Sequence, residues 1–197
     1  MTKPLAPGSR IGILGGGQLG RMLAVAASRL GFGCHIYDPD PMAPAAQVAA
    51  NHTCAPYEDI AALRAFAQGV DVITFEFENI PTAALDLLEA SGTAIFPDRR
   101  ALATSQDRLT EKAFLRDIGL ATAPYSAVDT AAELRDAMAH IGAQGILKTR
   151  RFGYDGKGQQ RLSAPTEIDE AIAGLAGAPA IFEGLVNIST EISVVVA

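Results

Sequence analysis

The sequence predicts an α/β protein of two domains, the first of which is a doubly wound parallel sheet. From residue 9 to residue 97, short β-branched runs alternate with segments of helical periodicity, which is typical of βαβ units. A glycine-rich turn joins the first strand to the first helix. After Pro97 this alternation ends, and two helices precede strands that flank a second glycine-rich loop. We therefore predict a first domain at residues 1–100 and a second domain at residues 101–197.

The first βαβ unit is the clearest in the chain. Residues 11–14 predict a short buried strand, and residues 15–17 predict a turn. Apolar side chains then recur at helical spacing between Leu19 and Leu30, and Gly31 ends the helix. Further strands are predicted at residues 34–37, 70–77 and 94–96, with helices at 60–68 and 82–90.

In the second domain, helices are predicted at residues 107–118 and 130–141. Strands are expected on both sides of the glycine-rich loop at residues 153–158. The apolar run at 193–197 also predicts a strand, and no turn or cap follows it. We therefore expect the second domain to be incomplete at its C-terminal end.

Composition and charge narrow the kinds of partner. The chain has 197 residues, 49% of them hydrophobic, and a net charge of −6 with dispersed basic residues. Nucleic-acid binding requires a concentrated positive face, so we expect a small-molecule partner instead. No run approaches the roughly 18 apolar residues that span a bilayer, and no signal peptide is recognisable, so we expect no membrane partner and a cytoplasmic location. Cys34 and Cys54 have no neighbours at ligand spacing, which argues against a metal site or a disulfide framework.

The first glycine loop has the spacing of a phosphate-binding turn. Residues 15–20 read GGGQLG between a strand and a helix, and Asp38 ends the next strand, which is the dinucleotide fingerprint. The pattern does not identify the ligand, because free N–H groups at a helix N-terminus attract any phosphate. A turn without a ligand, a nicotinamide or flavin site, and a site for a phosphorylated small substrate all remain open at this point.

Two acidic residues follow the predicted strand at residues 70–77. Val72, Thr74, Glu76 and Glu78 alternate with apolar residues, so both carboxylates are expected on one side of the strand. An unpaired carboxylate is costly to bury, which favours a polar ligand near Glu76. The alternative is that both acids are simply solvated at the strand end.

The second glycine loop has a composition that suits a triphosphate. Lys148 lies on a predicted strand, and the segment GYDGKGQ at residues 153–159 follows it. Cations neutralise phosphate charge, and glycines allow close approach of backbone N–H groups. The Walker A pattern is absent, which disfavours a P-loop nucleotide hydrolase. A basic β-hairpin without a ligand is the alternative.

These segments together resemble a known family. The strand lysine, the loop at residues 153–159 and the acids Glu183 and Glu191 resemble the ATP-grasp fold. The segments GGGQLGRM at residues 15–22, EFEN at 76–79 and QDRLTEK at 106–112 resemble, in that order, the 5-(carboxyamino)imidazole ribonucleotide synthases. The resemblance covers the chain from Ile11 onwards. It implies a Rossmann-like pre-ATP-grasp domain followed by an incomplete ATP-grasp domain.

The resemblance also implies roles for individual residues. It implies that Gly17, Gln18 and Leu19 cradle the phosphate of 5-aminoimidazole ribonucleotide (AIR), and that Glu76, Tyr154 and Asp155 face this substrate in the catalytic centre. Glu76 would bond the substrate amine, and Asp155 would be a candidate for proton transfer. The implied ATP-binding residues are Arg108 and Lys148, the loop residues Gly153, Tyr154, Asp155, Gly156, Lys157, Gly158 and Gln159, the adenine hinge Glu183, Gly184, Leu185 and Val186, and Glu191 at the ribose. Gly184 departs from the family pattern, in which a lysine is common.

The implied reaction is an ATP-dependent carbon–nitrogen ligation. Bicarbonate would attack the γ-phosphate of ATP to give carboxyphosphate and ADP, and the amine of AIR would then capture the carboxyl group. The family uses Mg²⁺, whose ligands we expect outside this chain, and it commonly forms homodimers. We therefore expect the 197-residue chain to be inactive by itself. A formate-dependent glycinamide ribonucleotide transformylase, a nucleotide-binding module without catalysis and a dehydrogenase remain alternatives.

Overall fold

The computed structural model describes residues 4–153 and 156–194, which fall into two compact units, Met1–Ser105 and Gln106–Ala197. Residue 100, where a domain boundary is predicted, lies inside the last helix of the first unit. Within the described part of the chain, no helix combines the length and apolar character needed to span a bilayer.

The first unit is an open sheet of five parallel strands in the order β3-β2-β1-β4-β5. The doubly wound α/β fold is therefore confirmed, and the helices predicted at 60–68 and 82–90 are found at those residues. Its elements are β1 (Arg10–Leu14), α1 (Gln18–Arg29), β2 (Gly33–Tyr37), a 3-10 turn (Pro44–Gln47), β3 (Asn51–Thr53), α2 (Ile60–Gln68), β4 (Val72–Phe75), α3 (Thr82–Ala90), β5 (Ala94–Ile95) and α4 (Arg99–Ser105).

Both faces of this sheet are covered. Ile13 and Leu14, neighbours on β1, point to opposite faces because side chains alternate along a strand. Ile13 packs with Ala24 of α1, while Leu14 packs with the apolar side chains of α2, α3 and α4, among them Phe66 and Leu88. The sheet is therefore a buried layer, as parallel sheets normally are.

The strand order marks a ligand-binding position at the carboxyl ends of β1 and β4. The chain runs from β1 to β2 and β3 on one side of β1 and then crosses to β4 and β5 on the other side, so the order reverses between β1 and β4. Ligands of open α/β sheets bind at the carboxyl ends of strands at such a switch point. The first glycine loop follows β1 and Glu76 follows β4, so both lie at this position.

The strand predicted at residues 70–77 is shorter than expected. β4 ends at Phe75, and Glu76 and Glu78 lie in the bend and turn beyond it. The expectation that alternation along a strand puts both carboxylates on one side is therefore wrong, because strand geometry stops before either residue. Glu78 instead accepts a hydrogen bond from its neighbour Asn79 at 3.3 Å.

The second unit is an antiparallel sheet of four strands in the order β6-β9-β7-β8. One face packs on α6 and α7 through a cluster that includes Leu147 and Phe182. Its elements are α5 (Arg108–Asp117), β6 (Tyr125–Val128), α6 (Ala131–Ile141), β7 (Gly145–Thr149), β8 (Gln159–Leu162), a 3-10 turn (Pro165–Glu167), α7 (Ile168–Gly174) and β9 (Ala180–Gly184).

The helices of this unit begin at side-chain caps. Asp107 accepts a hydrogen bond from the N–H of Leu109, and Thr130 forms a capping box with Glu133 at the start of α6. Both predicted helices are thus confirmed, with these residues as caps. The strand predicted at 193–197 is not formed at residues 193 and 194, because no described strand pairs with them, and residues 195–197 lie outside the described residues.

Candidate functional site

The first glycine loop is bound by carboxylates of the protein itself. The N–H of Gly16 donates to Asp38 at 2.6 Å. The N–H groups of Gly17 and Gly20 donate to the two oxygens of Glu76, at 2.8 and 3.0 Å. Three of the N–H groups that a dinucleotide phosphate would use are therefore already satisfied within the unit.

The glycines of this loop are required by the approach of Glu76. Gly15 has a φ of 95°, which side chains rarely tolerate, and a Cβ there would lie 2.6 Å from Cγ of Glu76. A Cβ on Gly17 would lie 2.7 Å from Oε1 of Glu76. The fingerprint spacing thus has a structural cause that needs no bound ligand.

Two N–H groups of the loop keep no partner. Gln18 and Leu19 open α1, and the first turn of a helix leaves its N–H groups without intrahelical acceptors. Among residues 4–153 and 156–194, neither N–H has an acceptor, and Leu19 is 58% exposed. These groups and the helix dipole leave one position for an anion, smaller than a dinucleotide cradle.

Tyr57 adds a neutral donor next to this loop. Burial raises the pKa of its hydroxyl well above the ordinary value, and the negative charges of Asp38 and Glu76 raise it further. The ring lies beside Phe77, with centroids 6.4 Å apart. The hydroxyl therefore stays protonated at neutral pH beside two carboxylates.

In the second unit, two lysines converge on one buried acid. Nζ of Lys148 lies 2.8 Å from Oε2 of Glu183, and Nζ of Lys112 lies 3.4 Å from Oε1. Glu183 is only 6% exposed. Its Oε1 has the charge contact with Lys112 but no acceptable hydrogen-bond geometry, so this oxygen is under-satisfied. The cluster carries one net positive charge where a nucleotide phosphate is expected.

The antiparallel register explains why Lys148 and Glu183 meet. β7 and β9 pair with Ile146 opposite Glu183, so Lys148 is the diagonal neighbour on the same face. The other face, with Leu147 and Phe182, is the core against α6 and α7. The charged groups therefore occupy the face that is free of this core.

A second ion pair joins α5 to the end of β7. The guanidinium of Arg150 donates to both carboxylate oxygens of Asp107, with Nη2 at 2.6 Å and Nε at 3.1 Å. Partial burial acts to raise the pKa of Asp107, but hydrogen bonds from Arg150 and from the N–H groups of α5 outweigh it and hold the pKa below its ordinary value.

The residues next to this ion pair are also joined by hydrogen bonds. The N–H of Arg108 donates to the carbonyl of Arg150 at 3.0 Å, and its Nη2 donates to the carbonyl of Gly153 at 3.4 Å. Nη2 of Arg151 donates to Oε1 of Gln106 at 3.0 Å. Arg108 is thereby brought to the start of the second glycine loop.

The loop between β7 and β8 is described at residues 150–153 and 156–158, and the last three of these residues form a turn. Gly156 and Gly158 have φ values of 78° and 68°. A Cβ on Gly158 would lie 2.6 Å from Oγ1 of Thr149, whose N–H bonds the Gly158 carbonyl at 2.7 Å. Lys157 is exposed in the turn, and Gln159 begins β8. Tyr154 and Asp155 lie outside the described residues.

The hinge predicted at residues 183–186 leaves the sheet after Gly184. A Cβ on Gly184 would lie 2.8 Å from Cγ2 of Ile141, which explains glycine at this position. In the described part of the chain, the backbone of Leu185 and Val186 has no hydrogen-bond partner, and both side chains are exposed. Glu191 is exposed and is not brought to the other predicted residues by any described contact.

Sequence reasoning left several residues of these sites without a role. Lys112 was part of a recognised segment, and its four-residue spacing from Arg108, which puts both on one face of α5, is the signal that could have found it. Tyr57 carried no motif at all. Among the described residues, no three His, Cys, Asp or Glu side chains are close enough to hold a metal ion.

Comparison with known proteins gives the following similarities. Residues 9–106 match the ribonucleotide synthetase preATP-grasp domain family, and residues 113–197 match the ATP-grasp domain family. The N5-carboxyaminoimidazole ribonucleotide synthase of Brucella melitensis is 50% identical over 195 residues, which are 98% of this chain and 54% of that protein.

Solved structures give the same result. The ADP complex of an N5-carboxyaminoimidazole ribonucleotide synthetase is 39% identical with a TM-score of 0.90, over 96% of this chain and 50% of that one. The Aspergillus clavatus enzyme in complex with ADP and AIR is 31% identical with a TM-score of 0.81, over 93% of this chain and 48% of that one. The chain spans about half the length of the curated relatives it matches.

Proposed function

Because this chain belongs to the ATP-grasp ligases and is homologous to the N-terminal half of N5-carboxyaminoimidazole ribonucleotide synthases, we propose that the complete protein carboxylates AIR with bicarbonate in an ATP-dependent reaction. The products would be N5-carboxyaminoimidazole ribonucleotide, ADP and phosphate, in the purine pathway that leads to IMP. The family resemblance on which the proposal rests was already visible in the sequence motifs and is confirmed.

The observation that carries the proposal is the convergence of Lys112 and Lys148 on Glu183. Arg108 lies four residues before Lys112 on α5, so both side chains share one helix face. Three cations with one buried carboxylate are suited to the triphosphate of ATP, as cations neutralise the charge that moves in phosphoryl transfer. The backbone of Leu185 and Val186, which has no hydrogen-bond partner in the described part of the chain, would form hydrogen bonds with the adenine.

The ribotide would bind at the first glycine loop. Its monophosphate would accept hydrogen bonds from the N–H groups of Gln18 and Leu19, which have no acceptor among the residues that the structure describes. Glu76 and Asp38 hold the neighbouring glycines, so the cradle has room for one phosphate and rejects a dinucleotide. This favours a sugar phosphate over NADH. Each oxygen of Glu76 accepts one loop N–H, and a carboxylate oxygen can accept a second hydrogen bond, so Glu76 would accept one from the amine of AIR without releasing the loop. Tyr154 and Asp155 would also face this substrate, as the resemblance implies.

In the proposed reaction, bicarbonate attacks the γ-phosphate of ATP, and AIR captures the carboxyl group of the resulting carboxyphosphate. No covalent protein nucleophile is needed, so catalysis would consist of charge neutralisation and positioning, the latter worth about 7–11 kcal/mol in favourable cases. Mg²⁺ would accompany ATP. Glu183 is already paired with lysines, so we assign the Mg²⁺ ligands outside the described residues and derive no step through the metal.

We also propose a cytoplasmic homodimer. Its support is the family resemblance and the exposed apolar side chains of α1, among them Met22 and Leu30, which are 59% and 68% exposed. Sedimentation of the complete protein measures the oligomeric state, and a monomer at micromolar concentration would contradict this part.

The test measures ADP release by the complete protein with ATP and each co-substrate pair. We expect ADP with AIR and bicarbonate, and none with glycinamide ribonucleotide and formate. Release that needs formate would favour the transformylase. Titration with NADH should show no binding, because Asp38 and Glu76 fill the dinucleotide positions. The 197-residue chain alone is expected to bind nucleotide without turnover.

A further inference from the structure

Asp107 and Arg150 form an ion pair, and each lies within two residues of a proposed nucleotide contact, Arg108 and Lys148 respectively. We propose that this pair is a positioning device: it fixes the start of α5 against the end of β7, and Arg150 is not itself a phosphate ligand. The inference rests on the proposed nucleotide site and on no other part of the proposed reaction.

The first step of the argument is the geometry of the pair. Arg150 presents a fork of Nε and Nη2 to both oxygens of Asp107, and Nη2 lies at 2.6 Å. Both side chains are partly buried, with 27% and 18% of their surfaces exposed. A bidentate contact of this kind fixes direction as well as distance, which a point charge does not.

The second step is that the pair is one of several contacts between two short segments. Residues 106–108 bond residues 150–153 through Gln106 to Arg151, Asp107 to Arg150, and Arg108 to the carbonyls of residues 150 and 153. We call this set the α5–β7 clasp. It ties the segment before α5 to the segment that leaves β7.

The third step is what the clasp positions. Arg108 follows Asp107 directly, and Lys148 lies two residues before Arg150 on β7. A shift of α5 along β7 would move Arg108 and Lys112 away from Lys148. Asp107 takes two of the five N–H donors of Arg150 and offsets its charge, which weakens the attraction of this arginine for a phosphate although it lies next to the glycine loop.

The test is a double-mutant cycle on ADP affinity, measured by calorimetry in the complete protein. The variants are Asp107→Asn, Arg150→Gln and the two combined. Asparagine caps a helix as well as aspartate does, so α5 keeps its cap. Each single change is expected to weaken ADP binding about tenfold, and the double change by about the same tenfold, because coupled residues are not additive.

Two further variants separate positioning from direct binding and from general damage. Arg150→Lys keeps the charge but loses the fork, so it is expected to bind ADP as weakly as Arg150→Gln. Arg99→Gln breaks the exposed bidentate pair with Asp86 in the first unit and is expected to leave ADP affinity unchanged. The KM for ATP should rise in the clasp variants while kcat at saturating ATP falls less than about twofold, since bound nucleotide restores the register.

The proposal is overturned if the double variant loses about a hundredfold, or if Arg150→Lys restores ADP affinity, because Arg150 would then act on phosphate directly. It is also overturned if the single variants bind ADP normally. Measurements on the wild-type protein distinguish failure of the clasp proposal from failure of the proposed function. Absence of ADP release with AIR and bicarbonate would defeat the carboxylation proposal. ADP calorimetry would still decide the role of the clasp.

Discussion

The carboxylate of Glu76 accepts a hydrogen bond of 2.8 Å from the backbone N–H of Gly17, 59 residues away in the sequence. A Cβ at position 17 would lie 2.7 Å from the same oxygen. The glycine loop at the switch point is therefore shaped around a carboxylate of the protein. Within residues 4–153 and 156–194, the first two N–H groups of α1 have no acceptor and remain for a ligand.

Removing the charge of Glu76 should weaken the hydrogen bonding of the first glycine loop and lower the stability of the protein. Glu76→Gln leaves one oxygen and one NH₂ group facing two N–H donors, so one hydrogen bond is lost and a donor clash arises. We expect a decrease of about 1–3 kcal/mol in the free energy of unfolding and a higher KM for AIR. Urea titration and steady-state kinetics measure the two effects.

Glu78→Gln is the matched control, because in the described part of the chain the Glu78 carboxylate accepts a single hydrogen bond, from its neighbour Asn79. It should change stability by less than about 0.5 kcal/mol. Equal losses for both variants would mean that the general loss of an acid near β4, rather than the contact with the loop, is responsible.

Adding a methyl group at Gly17 should displace Glu76. Gly17→Ala places Cβ within 2.7 Å of Oε1, so either the loop or the carboxylate must move. We expect a destabilisation of about 1–3 kcal/mol, measured by thermal unfolding of the complete protein. Gly33→Ala is the control, because a Cβ at Gly33 meets no atom within 4 Å. Wild-type stability of Gly17→Ala would contradict the described loop.

Lys148 should matter for both stability and nucleotide binding. Lys148→Met leaves Glu183 with Lys112 alone, at 3.4 Å, and we expect a loss of about 1–3 kcal/mol in stability with at least about tenfold weaker ADP binding. The double variant Lys148→Met, Glu183→Leu should regain part of the lost stability, because the buried carboxylate is removed and Lys112, with a side chain 16% exposed, is the charge that loses its partner. ADP affinity should stay low. Recovery of ADP binding together with stability would show that Lys148 acts only through the fold.

The stability contributed by Asp107 should depend on pH. Its pKa is lowered in the folded protein from an ordinary value of 3.8, so its contribution is complete above that value and is lost as the pH falls through the folded pKa. The difference in unfolding free energy between wild type and Asp107→Asn should therefore shrink as the pH falls below the ordinary value of 3.8. Urea titrations at several pH values measure it.

Glu133 is a second carboxylate with a lowered pKa, caused by bonds from Asp129 and Thr130 outside the clasp. The difference in unfolding free energy between wild type and Glu133→Gln should therefore also shrink as the pH falls below the ordinary value of 4.5. A difference between wild type and Asp107→Asn that is constant with pH would contradict the charged pair with Arg150.

The local sequence pattern was sufficient to predict most of the individual helices and strands. The helices at 60–68 and 82–90 were predicted to the residue, because apolar periodicity and flanking Asp59, Gly69 and Pro81 act over a few neighbouring residues. The glycine loop and the strand that carries Lys148 were predicted for the same reason. The prediction was wrong at Glu76 and Glu78, where alternation continued in the sequence after the strand itself had ended.

The sequence by itself determined the α/β class, the two glycine loops and the order of motifs that identifies the family. Only the tertiary structure decided which groups meet: Glu76 with Gly17, Lys148 and Lys112 with Glu183, and Asp107 with Arg150. These contacts join residues that are 35 to 71 positions apart. Strand order and antiparallel register bring them together, and both depend on burial of the whole core, which no local segment encodes.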